Sequence, residues 1–139
     1  MREILFRAKT NKNGKWVEGL LWKKKYNSNN IYISYFPDKD DHEDVFCVNP
    51  ETVCQYTGLS DRNGTNIFES DIVSISNSED IGIVKYGLYD NKHLGFYIEW
   101  TGACHLYRQD IYYWAKNCLI KIVGNIFDNP ELIRKESEV

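Results

Sequence analysis

A mostly-β fold follows from three features of this sequence. Of its 139 residues 14% are aromatic, with four Trp, ten Tyr and six Phe, and these fall with Ile and Val in short runs, the composition of strands. Gly, Asn and Asp separate the runs at spacings near a dozen residues, which favours a small barrel or sandwich over alternating strands and helices. Long helical periodicity is missing.

Taken in chain order, residues 5–8 and 16–22 predict the first two strands, and Asn13-Gly14 between them tolerates the positive φ angles of a hairpin turn. Ile31, Ile33 and Tyr35 alternate with Tyr32, Ser34 and Phe36, which predicts a third. Residues 38–44 carry five acids and His42 against Lys39, a solvated loop; a calcium loop would need a turn glycine that this run lacks. A strand over 53–57 leads to Asp61-Arg62-Asn63-Gly64, the second hairpin signal. Val73 and Ile75 alternate with serines, and residues 82–86 form another run. Leu94, Phe96, Ile98 and Trp100 alternate with Gly95, Tyr97, Glu99 and Thr101, which places a large apolar set on one core-facing side. Tyr107, Ile111, Trp114 and Cys118 fit a helical stripe of one or two turns. Residues 119–127 predict the last strand. Asn129-Pro130-Glu131 then supplies a cap, a first-turn proline and a first-turn acid for a short C-terminal helix fraying by Lys135.

Composition also bounds function. Seventeen basic residues against twenty acidic ones exclude the wholly basic class of nucleic-acid binders, and the apolar share is that of a globular chain. No apolar run approaches the ~18 residues of a membrane span, and charge interrupts residues 1–7 before a signal-peptide core could form. A cytoplasmic protein with no membrane contact is therefore expected. Cys47, Cys54, Cys104 and Cys118 contain no C-x-x-C pair, so buried or half-buried thiols are expected in place of a zinc site or disulfide framework. Phosphate-loop, dinucleotide and zinc-helix motifs do not occur. Cys104 and His105 would point to opposite faces of a strand, which argues against a nucleophile-base pair. The expectation is no catalytic residue, no metal and no cofactor.

Binding is the remaining chemistry. Residues 1–25 hold eight basic groups against two acidic ones. Lys23, Lys24, Lys25 and Tyr26 follow Trp16 and Trp22, placing cations beside aromatic rings as a phosphate backbone with stacked bases requires. The plainer reading turns Trp16 and Trp22 into the core and leaves the lysines as a solvated strand end. A partner protein is equally compatible with so many aromatic anchors.

Residues 52–73, from Thr52-Val53-Cys54 through Gly58-Leu59-Ser60-Asp61-Arg62-Asn63-Gly64 to Ser70-Asp71-Ile72-Val73, closely resemble the signature stretch of the YopX family, small proteins encoded mainly by bacteriophages and prophages. Residues 2–8, 82–86 and 122–132 resemble that family's opening, middle and ending in the same order. One departure is Ser70, where the family usually has glycine. The resemblance implies one domain comprising an N-terminal β portion (1–50), an SH3-like barrel core (51–133) and a tail (134–139), in a bacterial host. It implies no reaction: the expectation is a non-catalytic binding module for a macromolecular partner, with a single-stranded nucleic-acid binder and a small enzyme as alternatives. Oligomeric state stays open. Gly58, Asp61, Asn63, Gly64, Asp71, Gly124, Asn125 and Pro130 are expected to be structural: turns, a bulge or close strand approach, and a helix start.

Overall fold

The computed structural model describes residues 3–24, 29–37, 42–75, 78–101 and 107–133. The chain divides into two units, Met1–Tyr56 and Thr57–Val139. Both are built from antiparallel strands, as the alternating runs require.

Unit 1 is a meander of β1 (Phe6–Lys9), β2 (Trp16–Lys23), β3 (Ile31–Tyr35) and β4 (Asp44–Val48), each paired to the one before it. A 3₁₀ turn over Pro50–Thr52 follows, capped by the Asn49 side chain. The start of β5 (Cys54–Ser60) then pairs with β1 at Gln55 and Cys54. The end of β1 also meets β4: Thr10 bridges Val48, the Asn11 N–H donates to the Cys47 carbonyl (3.0 Å), and the Asn49 N–H donates to that of Lys9 (2.8 Å). Register decides which side is inside. Ala8, Ile33 and Val48 are buried, with Phe6, Val17, Leu21, Ile31, Phe46 and Val53 packed around them. These residues alternate along each strand with Arg7, Trp16, Leu20, Trp22, Tyr32 and Val45, which must therefore take the other face.

In unit 2 the rest of β5 pairs with β6 (Asn66–Phe68), while β10 (Ile120–Asn125), β7 (Asp71–Ile75), β8 (Ile81–Tyr89) and β9 (His93–Trp100) form a four-stranded sheet in that spatial order. One short helix, α1 (Ile111–Lys116), adds Ile111 and Trp114 to a core of Ile67, Val73, Val84, Ile98, Trp100 and Ile120. The helical stripe expected over 107–118 is thus shorter: Tyr107 and Cys118 are exposed and outside the helix, and Cys118 has φ +54°. A helical turn begins at 131, after Asn129 and Pro130; residues 134–139 lie outside the described residues.

Two strands were not foreseen. In β4 the acidic run ends at Asp44, which is already paired with Tyr35, and Phe46 and Val48 face inward while Val45 is 47% exposed. β6 is only three residues long, below the length at which alternation is readable. The core face expected along β9 holds for Ile98 and Trp100, but Leu94 is 72% exposed at the hairpin end. Of the cysteines, Cys54 is buried and Cys47 half-buried as expected, whereas Cys118 is exposed; Cys104 is outside the described residues.

The signature residues fasten unit 2. Asp61 is buried, and its carboxylate accepts from the backbone N–H groups of Asn63, Thr65 and Ile122, each at 2.9 Å. This ties the Asn63-Gly64 turn, with Gly64 at φ +81°, to β10. Asp71 is buried and accepts from the Phe68 N–H at 2.8 Å. Gly58 has φ +86° within β5. Register slips between Ile122 and Gly124, and a Cβ on Gly124 would collide with the Asn129 side chain, so this glycine serves a bulge and a close approach together. The Asn125 side chain accepts from the N–H groups of Phe127 (3.0 Å) and Asp128 (2.9 Å), closing the turn before Pro130. Ser70 occupies the left-handed region at φ +71°, a conformation that disfavours a Cβ. It is held there by its N–H donating to Val84 (2.7 Å) and its carbonyl accepting from Ile126 (3.0 Å).

Candidate binding surface

The outward face of the unit 1 sheet carries the arrangement most suited to recognition. β2 is apolar at both parities, so its sequence alone assigns no inside. Pairing does: the Val17 and Leu21 side joins the core, and Trp16, Leu20 and Trp22 turn outward. The core-facing reading of Trp16 and Trp22 is thereby corrected. Leu20 is 53% exposed and Trp22 38% exposed. Tyr32 lies opposite Trp22 across the ladder, and the two rings stack with centroids 4.6 Å apart and planes 20° from parallel.

This pair is held by polar contacts at its edge. The Trp22 Nε1–H donates to Ser34 Oγ at 2.7 Å, and the Ser34 hydroxyl donates to Glu43 Oε1 at 2.6 Å. Such a chain orients the indole without burying it. Beside it runs a groove of about 480 Å³ lined by Leu20, Leu21, Trp22, Ser34, Phe36 and Glu43.

Cations sit against the rings at both ends of β2. Lys24 Nζ is 5.6 Å from the Tyr32 ring centroid. The Arg7 guanidinium and Lys9 Nζ are 4.8 and 5.4 Å from that of Trp16. All are within the range of cation–π attraction. Of the sequence candidates, the structure thus brings Trp22 and Lys24 together around Tyr32 and gives Trp16 a separate cationic cluster. Lys23 follows the opposite parity and pairs with Ile31. Lys25 and Tyr26 lie outside the described residues. Tyr32, Ser34, Leu20, Val45, Arg7 and Lys9 are not among the binding candidates of the sequence, although Tyr32 and Ser34 belong to its third strand and Arg7 and Lys9 to its basic N-terminal stretch. The Tyr32/Ser34 alternation was the available signal, but a period of two marks two faces without saying which is wet.

Unit 2 contains an open cleft of about 590 Å³ lined by Tyr89, Asp90, His93, Tyr107, Arg108, Gln109 and Asp110. Tyr107, Arg108 and Asp110 of its lining make hydrogen bonds that shape the segment before α1. Arg108 Nε and Nη2 donate to both Asp110 oxygens at 2.9 and 2.7 Å, and this hydrogen bonding raises the guanidinium pKa above its ordinary value. The guanidinium carbon lies 4.2 Å from the Tyr113 centroid. The Arg108 carbonyl accepts from the indole N–H groups of both Trp100 and Trp114 at 2.8 Å. Tyr107 donates to Asp80 at 2.7 Å. His93 sits 5.3 Å from the Tyr89 ring, and in unit 1 His42 Nε2 is 3.1 Å from Asp44 Oδ1. Cys104 and His105 are outside the described residues. Among the described residues no three His, Cys, Asp or Glu side chains gather as a metal site, and no helix is long and apolar enough to cross a membrane.

Comparison with known proteins places this architecture. The family model described as YopX protein matches residues 5–134. The chain is similar in fold to the crystal structure of protein EF1440 from Enterococcus faecalis, at a TM-score of 0.54 and 19% identity, over 96% of this chain and 99% of that one. No curated protein matches the chain.

Proposed function

The chain belongs to the YopX family, and from that premise we propose that it is a phage- or prophage-derived, non-catalytic module that binds a macromolecular partner in the bacterial cytoplasm. The observation that carries this reading is the outward face of unit 1. Leu20, Trp22 and Val45 are exposed there although each belongs to a strand with a well-packed opposite side. Aromatic and aliphatic anchors at the centre of a patch, with charges around them, are the usual make-up of a recognition surface. An SH3-like barrel in unit 2 is part of the same proposal. Its support is the β7–β8–β9 succession, the short helix after it, and the return of β10 beside β7.

The test is capture from induced or infected cells, with and without nuclease treatment, using the natural chain and Trp22→Ala. A captured component that Trp22→Ala loses supports the proposal. Equal capture by both proteins, or turnover of a small molecule by the purified chain, overturns it.

A further inference from the structure

We infer that the outward face of unit 1 holds a single strand of nucleic acid, with a base against Trp22 and phosphates toward Lys24 at one end and Arg7 and Lys9 at the other. This rests on the reading of that face as the binding surface and adds the chemistry of the partner.

The first support is the platform. Trp22 and Tyr32 are stacked before any ligand arrives, and the Trp22 edge is fixed through Ser34 to Glu43. A ring already fixed loses little freedom when a base stacks on it, and every base has a π-face to present. The groove beside Trp22, with Leu20 and Phe36 in its lining, gives a flat apolar ring a second wall.

The second support is charge. Cations accompany aromatic rings at Trp16 and again at Tyr32 opposite Trp22. Trp16 and Trp22 are six positions apart on β2, about 20 Å at the rise of a strand. A protein neutralises a nucleic-acid backbone with several spaced cations and reads or stacks the bases between them, and Arg7, Lys9 and Lys24 supply that field on this face. Glu18 lies opposite Arg7 in the ladder, and Glu43, which keeps its charge while accepting from Ser34, lines the groove beside Trp22, so each offsets part of the field at its own end. An acidic peptide without aromatic residues would satisfy the same cations but leave the stacked pair without a π-face to meet.

The experiment is a titration of fluorescently labelled oligothymidylate and oligouridylate of about 8 nucleotides with the full chain, followed by the anisotropy of the label at several salt concentrations. Saturable binding is expected, with log affinity falling against log salt at a slope of about -2 for three phosphate contacts. Trp22→Ala is expected to weaken binding about tenfold or more, and Lys24→Ala to make the slope shallower by about 0.7. Trp22→Phe should retain more affinity than Trp22→Ala, which guards against misreading a folding defect. Tyr112→Ala, on α1, should change nothing. Saturable binding of either probe supports the inference. No binding at low salt, or binding that neither Trp22→Ala nor Lys24→Ala alters, overturns it. If that happens while Trp22→Ala still abolishes nuclease-resistant capture from cells, the partner is a protein and the binding-surface reading stands. If capture also fails, both are wrong.

Discussion

The four tryptophans divide evenly between two uses. In unit 2, Trp100 and Trp114 are each only 9% exposed, pack edge to face at 5.1 Å, and donate to the same backbone carbonyl. In unit 1, Trp22 stacks in the open and donates to a side-chain hydroxyl, and Trp16 lies under two cations. The same residue type thus serves as mortar in one unit and as exposed platform in the other. Which backbone register a tryptophan falls in, and what its N–H reaches, separates the two roles.

Truncation should therefore be expensive in one unit and cheap in the other. The largest effect is expected for Trp114→Ala, which leaves a cavity in the unit 2 core and removes one of the two donors to the Arg108 carbonyl. It should lower stability by about 4 kcal/mol in urea or thermal unfolding. A loss below about 1 kcal/mol would dissolve the contrast.

The carboxylates sharpen the same comparison. Asp61→Ala deprives three backbone N–H groups of their acceptor and should cost about 3 kcal/mol. Glu43→Ala removes a contact at an exposed edge and should change stability by no more than about 0.5 kcal/mol. Chemical denaturation of the two variants side by side checks both, and equal losses would mean that the Ser34–Glu43 chain is structural.

A smaller effect of opposite sign is expected at Ser70. Relieving a left-handed Cβ is worth about 1 to 2 kcal/mol, part of which is offset by the greater freedom of glycine in the unfolded chain. Ser70→Gly should therefore raise stability by roughly 0.5 to 1 kcal/mol. A decrease would show that the Ser70 hydroxyl contributes more than its backbone strain removes.

Much of this architecture was legible before any coordinates. Asn13-Gly14 and Asp61-Arg62-Asn63-Gly64 name their turns because few residues accept those backbone angles, and Asn129-Pro130 names a helix start for the same kind of local reason. β4 was hidden because Asp44 continues an acidic run and only Phe46 and Val48 reveal an inward side. The candidate surface was half legible. Composition placed lysines near Trp22, but β2 is apolar on both sides, and only its pairing with Ile33 and Ala8 on the strands either side sends Val17 and Leu21 inward. Long-range register is not written in a two-residue period.

The most direct test of the platform reading pairs two readouts on one variant, the unfolding midpoint of Trp22→Ala and the material it captures from cells. The expected result is a protein within about 1 kcal/mol of the natural chain, the loss being that of one ring pair and some apolar contact, that no longer retains its partner. A variant that unfolds as readily as Trp114→Ala, or one that keeps its partner undiminished, would contradict it.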